Sequence, residues 1–422
     1  MNHKQRTISG LGLLLKDVEG FSQTQGAWRF YNNENVDIES LSEPIMTTGF
    51  QEIEKHCSEY VLVAYDWSHL DYRGHTAKKE CILTKRSVNG DKKSKGYDFQ
   101  SALAISDITG EPITPLMQNL KTDMRVYSTY NNEIDSNLTH LEELTQRSRY
   151  VHTHFALSKK IVDIVDREAD SVGLFREYKN DENRFFIIRA KDQQRVEHNN
   201  STLSQKELAN TLAPGKFVKN ILYKKKRVDI YVNETVVSIS RDSYKKVIND
   251  DLTISYKKVK GEPFQARFIV EKLLDENQEV VATWILISNL QEDVSSKTIA
   301  LWYYYRWNIE SYFKLLKTSG FNLEQWQQRD PLALFKRLLI VSYACVLVWK
   351  IANSNHENGK KIRDFLVKLS GRLVEKKIKF TSSALLAGLW NFFSAMDILE
   401  LYDFEELLKM KNELNQLIQA DF

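Results

Sequence analysis

Two apolar runs, each closed by an acid, set the strongest limit on the fold: "YVLVAYD" at residues 60–66 and "KKIVDIVD" at residues 159–166. Short apolar runs rich in β-branched residues are buried strands. Each of these would deliver an aspartate, Asp66 or Asp166, to its C-terminal edge. Between them, "ECILTKRS" and "QSALAISDI" are further strand candidates, with turn chemistry at Asn89-Gly90 and Thr109-Gly110, which predicts an antiparallel meander. "NLTHLEELTQRSRYVHTHFA" has helical spacing, and a helix before the second acidic run makes that strand parallel to an earlier one.

"RFFIIRAK" supplies a fifth strand, residues 192–280 alternate in short strand-like pieces, and "ATWILISNL" returns to the core pattern. After Ser295 the chain reads as helical to its end, and "GAWRFYNNENVD" near the start reads as a helix end followed by a loop. No internal repeat or low-complexity segment is visible. The expected organisation is an N-terminal region 1–57, a core 58–191, a β-rich insertion 192–280, a second core segment 281–350 and a helical C-terminal region 351–422.

A chain of 422 residues with 42% hydrophobic and 27% charged residues has the composition of an ordinary folded protein, neither disordered nor fibrous. The formal net charge is only +3, but Lys191 to Val280 holds seventeen basic against thirteen acidic residues. This is a weak electrostatic footprint, and a solvated face is the plainer reading of "KKKR" at Lys224 to Arg227. Cys57, Cys81 and Cys345 are odd in number and far apart, which points to neither a disulfide framework nor a zinc site. The N-terminus lacks a signal-peptide core, and the longest apolar stretch, Leu338 to Trp349, is shorter than the roughly 20 residues that span a bilayer. A cytoplasmic protein with no membrane partner is expected. His152 and His154 lack companion ligands, and "WSHLD" holds Ser, His and Asp only as sequence neighbours, so neither reads as a metal site or a hydrolytic triad.

"LWYYYRWNIESYFKLLK", residues 301–317, carries the sharpest local pattern. On an ideal helix Tyr303, Arg306, Glu310, Lys314 and Lys317 share an arc of about 80°. Trp302, Tyr305, Ile309, Phe313 and Leu316 can pack the helix on a core. A solvated stripe with an i,i+4 ion pair would look the same. The alternative is a phosphate-holding face around a metal-binding carboxylate. Glu310 has metal chemistry only if other acids converge on it, and Asp66 and Asp166 are the candidates. Three close carboxylates repel, and two divalent cations about 4 Å apart would relieve that repulsion while activating water and stabilising a leaving oxygen. Taken singly, Asp166 could be a helix N-cap and Asp66 a turn residue.

The spacing YxxRxxxExxxxxxK, filled by Tyr303, Arg306, Glu310 and Lys317, resembles the signature of bacterial transposases of the insertion-sequence-four group, close to the Tn-five type. "DREAD" at Asp166 to Asp170 resembles that group's second-acid motif, and "RFFIIRAK" and "TWILISN" resemble its flanking strands. "GAWRF" is similar to a stretch upstream of the first acid. The resemblance covers roughly residues 25–350. It implies an α/β fold: a ribonuclease-H-like (retroviral-integrase-like) catalytic core with a β-rich insertion and helical N- and C-terminal regions.

The resemblance further implies that Asp66, Asp166 and Glu310 are a DDE triad binding two Mg2+ ions, for which Mn2+ can substitute. The implied reaction is cut-and-paste transposition: cleavage at the transposon ends, a hairpin intermediate, and strand transfer into target DNA. Tyr303, Arg306, Lys314 and Lys317 would hold phosphates. Trp284 would stack a flipped base, with a strand-packed core tryptophan as the alternative. Arg189 and Lys191 would reach the same DNA, with a solvated strand end as the alternative. The implied partners are double-stranded DNA, both terminal inverted repeats and target, and a second copy of the chain in a synaptic homodimer. Only 65 residues precede Asp66, so the N-terminal DNA-binding region is expected to be shortened. Two other readings stay open: a truncated homologue that binds DNA or a partner without cleaving, and a ribonuclease-H-like nuclease unrelated to mobility.

Overall fold

The computed structural model describes residues 19–84, 94–130, 134–135, 137–155, 157–179, 181, 183–224, 226–249, 253–372 and 380–420. The Asn89-Gly90 turn and part of the "ECILTKRS" strand lie outside the described residues. The chain forms two compact units, one of Met1–Ser42, Gly74–Lys79 and Lys314–Phe422, the other of Glu43–Arg73 and Glu80–Phe313.

Helices α1 (Glu19–Asn32) and α2 (Ile38–His56) open the described chain. The larger unit is then built on strands β1 (Tyr60–Asp71), β2 (Ile82–Thr84), β3 (Ser94–Ser106), β4 (Pro112–Lys121) and β5 (Val126–Ser128). Helix α3 (His140–His154) and strand β6 (Lys160–Val165) come next, followed by α4 (Val172–Lys179) and β7 (Arg184–Arg189). The chain goes on through β8 (Arg195–His198), β9 (Ser201–Ser204), α5 (Gln205–Thr211), β10 (Lys216–Tyr223) and β11 (Lys226–Ile239). Strands β12 (Ser243–Ile248), β13 (Ile254–Val259), β14 (Phe264–Leu274) and β15 (Val280–Ser288) lead to helices α6 (Ser296–Tyr305) and α7 (Trp307–Lys314).

One mixed sheet runs in the order β5-β4-β3-β1-β6-β7-β15-β14-β11-β8-β9, with β2 on β3 and β10 on β11. The meander expected from "YVLVAYD", "ECILTKRS" and "QSALAISDI" is reordered: β1 pairs directly with β3 and β3 with β4, all antiparallel, while among the described residues the short β2 pairs only with β3. Strand β6 is parallel to β1, and β7 is parallel to β6, as the intervening helices require. Helix α3 starts at a capping box, in which Thr139 Oγ1 accepts from the Glu142 amide and the Glu142 carboxylate accepts from the Thr139 amide, tying two otherwise orphaned donors. The strands between 192 and 280 are not a separate sheet. Strand β15 pairs with β7 and β14 with β15, so most of the insertion extends the core sheet, and only β12–β13 stands apart as a two-stranded ribbon.

The structure corrects two local expectations. Strand β1 does not stop at Asp66: its antiparallel pairing with β3 continues to Asp71↔Gly96, whereas its parallel pairing with β6 ends at Ala64↔Ile164. Asp66 therefore lies mid-strand, just past the point where β1 loses its parallel neighbour. The stretch 301–317 is not one regular helix. Arg306 caps α6 with its amide donating to the Tyr303 and Tyr304 carbonyls, α7 begins at Trp307, and a π-helical turn covers Leu315–Ser319. Three contacts seat α6 and α7 on the meander: the Trp302 indole N–H donates to the Asp107 carbonyl (3.0 Å), Asn308 Nδ2 to the Gly110 carbonyl (2.7 Å) and Gln118 Nε2 to the Tyr312 hydroxyl (2.8 Å). Gly110 has φ +74° and meets the Tyr305 ring where a Cβ would stand, so both the turn and the close approach require glycine.

In the smaller unit, α8 (Pro331–Ala352) is followed by α9 (Glu357–Leu369), α10 (Ser382–Leu401) and α11 (Phe404–Ala420). Asp330 caps α8 with Pro331 as its first residue, a strong start signal. By length and composition α8 and α10 could each cross a membrane, and the most apolar window of α8 is 72% buried within the protein, as expected of a helix that packs a core. Along α11, Phe404, Leu408, Met410 and Leu414 are exposed.

Candidate active site

Asp66 on β1 and Asp166 just after β6 lie on adjacent parallel strands, and in each the Oδ1 accepts the amide N–H of the next residue at 2.8 Å. Their Oδ2 atoms meet a single buried cation. The Arg306 guanidinium, whose side chain is 4% exposed, lies 3.0 Å from Asp66 Oδ2, 4.0 Å from Asp166 Oδ2 and 3.2 Å from Glu310 Oε1. The break between α6 and α7 places Arg306 at this junction, and the first turn of α7 brings Glu310 to it. Three acids separated by 100 and 144 residues along the chain therefore converge on one point.

Burial raises the Asp66 carboxyl above its ordinary range although Arg306 works against the shift. Glu310 is raised by burial, again opposed by Arg306 and reinforced by the two aspartates. Burial would lower the Arg306 pKa, but Tyr303 and the three acids outweigh it and hold the guanidinium firmly protonated. With two guanidiniums, Arg306 at the centre and Arg189 at 3.9 Å from Asp166, against three carboxylates, negative charge remains in excess, and the donors are all hard oxygens of the kind that hold Mg2+ or Mn2+. The chemistry of the set thus fits divalent cations. Among the described residues no three such side chains stand close enough to ligate a metal as they are; in this arrangement they are held around Arg306 instead.

Residues 58–349, which contain all three acids, match the family model described as the Transposase DDE domain. The chain belongs to that family. No curated protein matches this transposase sequence. Among solved structures, it is similar to the cryo-EM structure of a piggyBac transposase synaptic complex with hairpin DNA, at 10% identity and a TM-score of 0.33, over 88% of this chain and 62% of that one. The chain thus spans less than two thirds of that structure's length.

Around the triad of this transposase domain, the predicted DNA-contacting residues separate into groups. Arg189, at the end of β7, reaches to 3.9 Å of Asp166 Oδ1 and lies over the Trp284 ring at 5.6 Å. Trp284 is half-buried and meets Tyr303 and Tyr223 edge-on at 6.3 and 6.0 Å, packed on the small cluster of Ile221, Val228, Ile230 and Leu273. Tyr303 is not on an exposed polar face: it is 5% exposed, and burial pushes its hydroxyl up to about 12. Its ring instead lies 5.9 Å from the Arg306 guanidinium. Lys191 is exposed, and its amide donates to Asp170 Oδ2 at 2.6 Å. Lys314 is exposed and Lys317 pairs with Glu324 at 3.0 Å; both belong to the smaller unit.

The sequence reading missed a second set of residues. A cavity of about 70 Å³ is lined by Asp66 and Asp166 together with Trp67, His140, Glu143, Arg147 and Glu168. Trp67 packs against His140 with ring centroids 4.3 Å apart and planes tilted by 54°, and donates its indole N–H to Glu168 at 3.2 Å. Glu143 and Arg147 form a buried pair at 2.8 Å on α3. Their i,i+4 spacing in "EELTQR" was the available signal, but on sequence it is indistinguishable from a solvated helix pair.

Proposed function

We propose that the protein is a cut-and-paste DNA transposase of the insertion-sequence-four group, acting by divalent-metal-dependent phosphodiester cleavage and strand transfer in the bacterial cytoplasm. The observation that carries the reading is the convergence of Asp66, Asp166 and Glu310 on the Arg306 guanidinium inside the family-matched segment. Asp66, Asp166 and Glu310 would hold two Mg2+ ions. When bound, such ions activate water or a 3′ hydroxyl and stabilise the leaving oxygen at phosphorus.

The protein's own groups supply orientation and charge. The amides of Trp67 and Arg167 fix the two aspartates, leaving one oxygen of each pointed at the common centre. Arg306, whose planar fork suits bidentate recognition of phosphate, would turn to a DNA phosphate if cations held the acids, and the Tyr303 ring beside it orients the guanidinium. Arg189 approaches the same phosphate from the Asp166 side. Trp284, partly exposed at the edge of its cluster, receives the base turned out as a hairpin forms on the transposon end. Lys191, Lys314 and Lys317 contact flanking phosphates, and cleavage of two ends calls for a synaptic homodimer.

The test is Mg2+-dependent cleavage of labelled DNA carrying the element's own terminal inverted repeats, with wild type beside Glu310→Gln. Cleavage by wild type alone, with both proteins binding DNA, supports the triad. If both bind and neither cleaves, the chain is a non-catalytic homologue. With Trp284→Ala, nicking is expected to persist while hairpin yield falls; unchanged hairpin yield returns Trp284 to a packing role.

A further inference from the structure

The pentapeptide Ser-Tyr-Lys-Lys-Val occurs twice, at residues 243–247 and 255–259, a repeat too short to register as an internal duplication on sequence. The two copies are β12 and β13, and they pair with each other antiparallel: Tyr244↔Lys258, Lys246↔Tyr256, Ile248↔Ile254. Pairing one motif with itself gives the ribbon a local two-fold axis. Because strand residues alternate between faces, positions 244, 246, 256 and 258 share one face as a chequerboard of two tyrosines and two lysines. Positions 245 and 257, both lysine, fall on the other. Tyr244 and Tyr256 are 67% and 64% exposed, far beyond what an isolated hairpin needs for its own packing. From Ser243 to Lys260 the sequence holds five lysines against two aspartates.

The ribbon is clamped at its root. Arg176 on α4 donates to the Arg241 and Gly261 carbonyls, each at 3.0 Å, and to the Glu262 carbonyl at 3.3 Å, gripping both strands as they leave the main sheet. A Cβ at Gly261 would run into that guanidinium. Arg241 in turn bonds the fully buried carboxylate of Asp170, four residues beyond Asp166. The last acid of "DREAD" thus ties the base of the ribbon to the segment that carries the second catalytic aspartate.

We propose that β12–β13 is a DNA-binding arm whose tyrosine and lysine face lies against the phosphates of duplex DNA beyond the cleaved position. This rests on the transposase reading. The charge sign matches, exposed tyrosine hydroxyls and lysines are common phosphate contacts, and a two-stranded ribbon fits a DNA groove. The ribbon's two-fold repeat matches the two-fold symmetry of a duplex backbone. Six paired residues give a reach of about 20 Å. One contact competes: Lys258 pairs with Asp242 at 2.7 Å, and DNA binding must replace that partner.

The experiment measures binding of a 40-base-pair duplex by fluorescence anisotropy across a salt series, for wild type, Lys246→Glu/Lys258→Glu and Lys245→Glu/Lys257→Glu. The two variants change net charge equally and alter opposite faces; the first also breaks the Lys258–Asp242 pair, so Lys246→Glu alone is measured beside it and should reduce the slope by about half as much. Because it takes two lysines off the DNA phosphates, the first should reduce the slope of log K against log salt by about 2, each neutralised phosphate contributing roughly 0.9; the second should change it far less. Equal changes would mean a diffuse charge effect, and no change in either, with unaltered melting temperature, would remove the arm from the interface; both overturn the proposal. Tyr244→Ser/Tyr256→Ser should weaken binding with the slope retained, and unchanged affinity would overturn the role of the tyrosines. Absence of DNA binding by wild type would instead refute the transposase reading itself.

Discussion

Strand β6 and the residue that follows it hold two aspartates three positions apart, and their surroundings are opposite. Asp163 is fully buried and its Oδ2 accepts from Ser148 (2.5 Å) and Tyr178 (2.6 Å) and faces His152 Nε2 at 3.1 Å, with Arg184 joined through Ser148 at 2.8 Å. Asp166 is 43% exposed and, among the described residues, has beyond its own loop amide only two guanidiniums at 3.9 and 4.0 Å. The donors gathered on Asp163 Oδ2 commit that oxygen to the fold, and its Oδ1, buried with no hydrogen-bond partner among the described residues, is closed off from solvent. The other acid is left with oxygen lone pairs for a ligand. Burial alone would raise the Asp163 carboxyl, but His152, Arg184 and the hydroxyl donors outweigh it and hold it below the usual carboxylate range.

The comparison predicts a wide difference in stability. Asp163→Ala leaves Ser148, His152 and Tyr178 without their buried acceptor and removes the carboxylate that faces Arg184, and should cost about 3–5 kcal/mol, read as a lower urea midpoint, a large share of the roughly 5–15 kcal/mol that holds a domain together. Asp170→Asn, which takes the charge from the Arg241 anchor while keeping the acceptor for Lys191, should cost about 1–3 kcal/mol. Asp166→Asn should stay within about 1 kcal/mol of wild type while removing cleavage. Equal losses at Asp163 and Asp166 would erase the distinction between scaffold and site.

A smaller effect concerns pH. Because the folded-state pKa of Asp163 is depressed, the unfolded chain takes up that proton more readily, and the stabilisation is present above the ordinary aspartate range near about 4 and lost as pH falls through the folded value. The stability gap between wild type and Asp163→Asn should therefore be constant from neutral pH down to that range and narrow below it. A gap that closes between pH 6 and 8 would assign the coupling to another group.

Much of this was legible in residues 60–66 and 159–166, because buried parallel strands leave continuous apolar runs and the acids that close them stand out. The signature Tyr303, Arg306, Glu310 was readable as spacing. Its geometry was not: ideal helix angles put Tyr303 on an open face, whereas the break at Arg306 turns the tyrosine inward and the arginine onto the acids. Asp163 was invisible for the opposite reason. An acid inside an apolar run gives no hint that Ser148, His152 and Tyr178, drawn from α3 and α4, will meet it. The Ser-Tyr-Lys-Lys-Val pair lay in plain view, but its meaning depends on a register that only strand pairing fixes.

The path of the chain at β7 and β15 bears on how such a protein can be remodelled. The chain leaves the core at Arg189 and returns at Leu286, and these two residues are cross-strand partners, about 5 Å apart at the backbone. A turn of roughly two to five residues would close that gap. Everything between, the ribbon and Trp284 included, enters and leaves through that one pair, but Val237, Phe264 and Phe268 share the core with Val61 and Phe186 and Arg176 and Asp170 hold the ribbon's base, so a replacement segment must rebuild those contacts while Asp66, Asp166 and Glu310 stay on strands and a helix outside it.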